Sequence, residues 1–133
     1  MTAWVDALKD ASIPDYAKDT RLNLDAVIKR SSLPVEEAEA VALAAAFATG
    51  NSKLWTWIES QIENKTESQA ALTAGAIMAQ NNVWYPYVEM AEDANLAGLP
   101  AQLRMNAIAS HGGTTKARFE AYSLAASIVG KCH

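Results

Sequence analysis

Only one cysteine, Cys132, stands in this chain of 133 residues. With no second thiol to pair with, an internal disulfide framework is excluded, and a reducing cytoplasm is the expected setting. No basic block is present: 11 lysines and arginines are scattered among 15 carboxylates, for a formal charge of -4 and a pI near 5.1. Such a chain cannot neutralise a phosphate backbone, so nucleic acid is not an expected partner. Long apolar runs are also missing, none approaching the roughly 20 residues that span a bilayer. The first ten residues set Trp4, Val5 and Leu8 among Asp6, Lys9 and Asp10, which is not the basic leader and apolar core of a signal peptide. No membrane association is expected. Cys132, His111 and His133 lack the paired ligand spacing of a zinc site, so no metal is expected either. No strand-turn-serine elbow supports serine catalysis.

What the chain does have is alanine, with half of all residues hydrophobic and only six glycines and four prolines. Runs such as Ala44-Ala45-Ala46 favour closely packed helices over a sheet, and the length suits one domain, so residues 1–133 are read as a single all-α bundle. Thr2 to Ala11 forms an outer amphipathic helix with Trp4, Leu8 and Ala11 inward, ended by Ile13-Pro14-Asp15. Tyr16, Leu22, Leu24, Val27 and Ile28 mark a second helix reaching Arg30. Pro34 opens a third, with Glu36 and Glu37 at the positive end of its dipole, and Gly50 closes it. Asn51 caps a fourth. Thr66-Glu67-Ser68-Gln69 has capping-box spacing and opens a fifth, which Pro86 ends or bends. Pro100 starts a further helix with Leu103, Met105, Ala107 and Ile108, stopped at His111-Gly112-Gly113, where His111 reads as a helix-end residue. A last helix is capped by Thr114 or Thr115 and ended by Gly130, whose tolerance of the left-handed conformation suits a terminator. The Trp55, Trp57, Trp84, Tyr85 and Tyr87 set reads as core or subunit interface.

The last stretch, from Phe119 to His133, gathers the residue types able to do redox or proton chemistry: Glu120, Cys132 and His133. Sliding the chain against itself by 81 positions places Leu22 on Leu103, Leu24 on Met105, Val27 on Ile108, Glu39 on Glu120, Leu43 on Leu124 and Ala44 on Ala125. A two-fold internal repeat is therefore expected, with a first copy over about 20–64 and a second over about 101–133. Cys132 falls on Asn51, after which the first copy continues with a whole helix. The second copy is expected to be incomplete.

Several segments together resemble the alkyl hydroperoxidase D family, within the all-α superfamily that includes carboxymuconolactone decarboxylase. They are Pro14-Asp15-Tyr16-Ala17-Lys18-Asp19 before Leu22-Asn23-Leu24, Ile77 to Tyr85, Leu103 to Ala109, and Phe119-Glu120 with Ser123 and Ser127 ahead of Gly130 and Cys132. The resemblance covers nearly the whole chain. In the family a glutamate precedes a Cys-x-x-Cys pair by twelve residues, the spacing of Glu120 and Cys132. The resemblance implies an antioxidant alkyl hydroperoxidase that reduces organic hydroperoxides, with Glu120 and Cys132 catalytic and in a proton relay. The peroxide-attacking second cysteine and the relay histidine are expected beyond His133, so the chain is read as ending inside the motif; His133 itself does not match the relay histidine. Also implied are no metal or haem cofactor, a partner peroxiredoxin, reducing equivalents from a lipoyl-bearing protein, and a homotrimer. Two other readings stay open: a non-enzymatic oligomerising or binding domain on the same scaffold, suggested by the single thiol, and a lactone decarboxylase.

Physical geometry constrains the relay. Twelve residues of straight helix would separate Glu120 from Cys132 by about 18 Å along the axis. A returning antiparallel segment is needed to bring a bridging histidine between them. A cysteine in the first turn of such a helix gains thiolate character from the helix dipole and from Lys131.

Overall fold

The computed structural model describes residues 2–91, 98–99, 104–108 and 113–130. Pro100, Leu103, His111, Gly112, Lys131, Cys132 and His133 lie outside the described residues. The elements run α1 (Ala3–Ser12), a 3₁₀ turn (Asp15–Ala17), α2 (Lys18–Leu24), a π-helical turn (Asp25–Lys29), α3 (Val35–Ala48), α4 (Ser52–Gln61), α5 (Lys65–Ala91), a second 3₁₀ turn (Asn106–Ile108) and α6 (Lys116–Val129). Every regular element among the described residues is helical, as an alanine-rich chain poor in glycine and proline leads one to expect.

The architecture follows from α3. Its apolar residues leave no polar stripe, and a helix apolar all round must be covered on several sides. Against it pack α5 and α6 on one flank, α4 and the π-helical turn on the other. Small side chains allow the close approach: Ala40 and Ala44 of α3, Ala70, Ala71 and Ala74 of α5, and Ala126 of α6 are buried, while Leu43 and Tyr122 fill the space between. At the tightest point Gly75 of α5 faces Phe47 of α3, where an added Cβ would sit 2.6 Å from the ring. Gly75→Ala is therefore expected to lower stability by about 1–3 kcal/mol through overpacking. Thermal melts of the variant check this, and an unchanged or raised midpoint would show that the ring moves aside freely.

The cap chemistry accounts for most helix ends. Asn51 accepts a hydrogen bond from the Leu54 N–H at 3.1 Å and starts α4; Thr115 accepts one from the Arg118 N–H at 3.2 Å and starts α6. Gly50 takes φ +79° after α3, a conformation that costs glycine little. Four local expectations are corrected. Asn64, two residues before Thr66, is the cap: it accepts from the Glu67 N–H at 3.1 Å, so Thr66 already lies inside the helix, no Thr66–Gln69 capping box forms, and the Glu67 side chain is buried in the bundle. Of the two outcomes expected at Pro86, an end or a bend, the end is excluded: the fifth helix continues to Ala91. It is already built and clamped upstream by α3 and α6, and an established helix propagates past a single missing bond. Gly130 ends α6 with φ -72°, not in the left-handed region. Its missing side chain leaves room for Asn82 of α5: an added Cβ would lie 2.6 Å from Asn82 Nδ2, which would have to turn aside. Finally, of the second helix's apolar residues only Ile28 is buried, while Tyr16 is 94% exposed.

The first helix is less peripheral than its pattern suggests. Trp4 and Val5 enter the core, Ala11 stays exposed, and Trp4 packs edge-on against Trp57 with ring centroids 6.3 Å apart. Ion pairs Lys9–Asp25 (2.7 Å) and Lys29–Asp6 (3.0 Å) fasten α1 to the π-helical turn. The Trp4 indole donates to Glu39 Oε2 at 2.6 Å inside the bundle. Burial pushes the Glu39 carboxyl above its ordinary range, opposed by that hydrogen bond. A folded-state pKa above the unfolded value means the folded state holds the proton more tightly, so this group costs stability as pH rises through that interval. Glu39→Gln keeps an acceptor for Trp4 and removes the charge. It is expected to be more stable than the parent at pH 7 and to converge with it near pH 4, measured by denaturant midpoints at both values.

Helices α3 and α6 have 14 residues each and begin 81 positions apart, at Val35 and Lys116. They pack against each other. The segments before them differ, a π-helical turn in one and a 3₁₀ turn in the other. The correspondence in the described residues is thus between two helices.

Candidate active site

Helix α6 carries both sequence-derived candidates, one on its first turns and one just past its end. Its inner face, Phe119, Tyr122 and Ala126, is buried against α3 and α5. Its outer face presents Glu120, Leu124 and Ile128, at helical spacing. Leu124 and Ile128 are 61% and 66% exposed, so Glu120 heads an apolar stripe that no described element covers. Among the described residues Glu120 pairs with Lys116, one turn earlier, with Nζ 3.8 Å from Oε1 and both side chains mostly in solvent. Such an exposed pair contributes little to stability and leaves the carboxylate free to turn. At the other end Gly130 closes the helix two residues before Cys132. Ten residues of helical rise separate Glu120 from Gly130 by about 15 Å. The described residues do not bring Glu120 and the thiol's end of the helix together.

Two cavities flank that end. One, of about 270 Å³, is lined by Phe47, Gly50, Gly75, Asn82, Ala126 and Gly130. The other, of about 380 Å³, is an apolar groove between α1, the π-helical turn, α3 and α4 that reaches Val129.

A second constellation escaped the sequence reading. At the base of α6, Glu67 of α5 is buried and accepts hydrogen bonds from Thr114 Oγ1 at 2.7 Å, from Arg118 Nη1 at 3.1 Å and from the Tyr122 hydroxyl. Arg118 also reaches Glu36 at 3.0 Å and Glu37 at 3.5 Å on α3. Burial alone would push the Glu67 carboxyl up, but the hydrogen bonds of Tyr122, Thr114 and Arg118 outweigh it and hold the carboxyl below its ordinary range. Burial and the Glu67 carboxylate together push the Tyr122 hydroxyl far up, so it stays a neutral donor. Hydrogen bonding to Glu36 and Glu67 raises the Arg118 guanidinium, opposed by desolvation. The three carboxylates converge on a guanidinium that already supplies their positive charge. Among the described residues no group of three or more His, Cys, Asp or Glu is arranged to hold a metal ion. The constellation is structural in effect: it clamps the first turns of α3, α5 and α6, and it fixes Arg118 and Tyr122 on either side of Glu120, so that Glu120 faces outward. Its sequence signal was Arg118 and Tyr122 at i, i+4 on a helix otherwise turned inward.

No family model matches the chain, and no solved structure matches it. Curated relatives do. The chain is 43% identical over 131 residues to an alkyl hydroperoxide reductase AhpD of Rhodospirillum centenum, covering 96% of this chain and 69% of that protein. It is 39% identical over 131 residues to the protein of that name from Maricaulis maris, covering 96% and 75%, and 42% identical over 126 residues to that from Coxiella burnetii, covering 90% and 71%. This chain belongs to the alkyl hydroperoxide reductase AhpD family. Identity of this order over nearly the whole chain bears out the resemblance and places the chain among oxidoreductase enzymes. Among the described residues no helix is long and apolar enough to cross a membrane.

Proposed function

We propose that this AhpD-family chain supplies the helical scaffold, the relay carboxylate Glu120 and the thiol Cys132 of an antioxidant alkyl hydroperoxidase. The observation that carries this reading is α6 itself. It holds Glu120 outward at the head of an uncovered apolar stripe and ends at Gly130, two residues before Cys132 in sequence, with two apolar cavities at that end. In this reading a segment returning along the Leu124–Ile128 stripe carries a histidine back to Glu120, and Glu120 manages the proton through it. The chemistry needs two thiols. One thiolate attacks the O–O bond, giving an alcohol and a sulfenic acid; the second thiol then displaces water from that sulfur to form a disulfide. Cys132 is assigned to the pair as the proton-relaying partner, and its disulfide is returned to dithiol by a lipoyl-bearing protein, with no metal or haem involved.

The same reading includes a peroxiredoxin partner, a cytoplasmic setting and assembly as a trimer. Association is supported by Val83, Tyr87 and Met90, which recur at helical spacing on α5 and are 73%, 55% and 76% exposed.

The test uses two proteins: the 133-residue chain, and that chain joined to a C-terminal segment carrying the second cysteine, three residues past Cys132, and the histidine that this reading requires. With tert-butyl hydroperoxide and dihydrolipoamide, the joined protein is expected to turn over and its Cys132→Ser variant to be inactive. The 133-residue chain, with one thiol, is expected to be alkylated at Cys132 but not to sustain turnover. Sustained activity in the Cys132→Ser variant would sink the assignment.

A further inference from the structure

The apolar groove has no role in the relay just described, yet it ends at the thiol's end of α6. Trp4 and Leu8 of α1, Ile28, Ala45 of α3 and Leu54 of α4 line it, and Val129, three residues before Cys132, reaches it from α6. Among the described residues on its wall the polar side-chain atoms are already used: the Thr49 hydroxyl donates to the Ala46 carbonyl at 2.6 Å and accepts from the Asn51 N–H at 3.1 Å, and the Trp4 indole donates to Glu39 at 2.6 Å. A wall without charge or free hydrogen-bonding side chains offers nothing to a headgroup or a peptide backbone. It suits an uncharged hydrocarbon, whose burial needs only area removed from water.

Size narrows the occupant. The volume of about 380 Å³ lies within the range of small-molecule pockets, roughly 300–1,000 Å³. A stable protein interface needs about 800 Å² from each partner, more than a cavity of this size presents. At about the 30 Å³ that a water molecule occupies in the liquid, taken as the size of a methylene, the groove would hold about a dozen carbons if filled completely, and roughly ten in a chain that leaves its open side unfilled. We propose that the groove is an alkyl-chain subsite, and that it makes straight-chain hydroperoxides of about ten carbons the preferred substrates, the tail lying between α1, α3 and α4 and the peroxide at the Val129 end. This rests on the hydroperoxidase reading above and names its substrate class.

Unreactive 1-alkanols test it on the 133-residue chain without any turnover. From butanol to tetradecanol, affinity measured by backbone amide shifts is expected to rise about threefold per methylene and to level off near ten carbons, with the shifts centred on Ala45 and Val129. Two variants block the site. Ala45→Phe fills it from a partly buried position on α3, and Val27→Asp sets a charge on its rim, where Val27 is 64% exposed and the fold is not at risk. Each is expected to weaken decanol about tenfold or more with the helical circular dichroism unchanged. Affinity indifferent to chain length, or shifts that spare Ala45 and Val129, would overturn the proposal. So would variants that alter sedimentation but not decanol binding, since the groove would then be a contact between copies. In the joined protein, Ala45→Phe is expected to lose the preference for decyl over tert-butyl hydroperoxide. Decanol binding as described, without any peroxide turnover, would support the groove and fault the assigned reaction alone.

Discussion

Replacing Arg118 with leucine is expected to destabilise the bundle by about 2–4 kcal/mol, and to lower its melting point by roughly 10 °C. The guanidinium is the positive charge shared by Glu36, Glu37 and the buried Glu67. Removing it leaves Glu67 charged and buried with its hydroxyl donors alone, and leaves three carboxylates facing one another. The range is set below that of a fully enclosed pair, because about a fifth of the Arg118 side chain still meets solvent and screening softens the loss. The pH dependence gives a second readout. Glu67 is held below its ordinary range, so its contribution is present above the unfolded-state value near 4.3 and is lost as pH falls through the lower folded-state value. In Arg118→Leu that interval should shrink, and the stability difference from the parent should narrow as the medium is acidified. A variant as stable as the parent at pH 7 would show that the clamp holds nothing.

Glu120→Gln carries the largest expected effect on activity. In the joined, turnover-competent protein it is expected to slow hydroperoxide reduction by about ten- to a thousandfold, the scale of a lost positioned proton carrier. Stability should barely move, because Glu120 is exposed and its 3.8 Å pair with Lys116 is solvated. Lys116→Ala serves as the comparison: it removes the same ion pair and leaves the carboxylate, so it should keep the activity. Equal losses in both variants would mean that the pair, and not proton transfer by Glu120, matters.

These two residues also mark what could and could not be read from the chain. Boundaries set by local chemistry were legible: Asn51 and Thr115 cap because a short side-chain acceptor meets an N–H three residues on, and Gly50 ends α3 because φ +79° is open to it. Glu120 and Cys132 were singled out by resemblance to the family, and the role of each is a proposal. What depended on distant neighbours was hidden. Thr66 looked like a cap, but Asn64 caps the helix two residues earlier, and Glu67 is drawn instead to Thr114, Arg118 and Tyr122, about fifty residues away in sequence. Gly130 was read for its backbone freedom, while the structure uses its missing side chain to let Asn82 approach. Pro86 was read as an end or a bend on local rules, and the end does not occur because α5 is held from outside by α3 and α6. Tyr16, Leu22 and Val27 fit a helical pattern yet remain exposed, because a pattern cannot say whether a second surface covers it.

The most direct measurement is the state of Cys132 after one equivalent of alkyl hydroperoxide is added to the reduced joined protein. Two thiols and one ROOH should give one disulfide, one ROH and one water. Peptide mass spectrometry is therefore expected to find Cys132 linked, with the loss of two hydrogens, to the cysteine three residues further on. Consumption of the peroxide with Cys132 recovered as a free thiol would contradict the account.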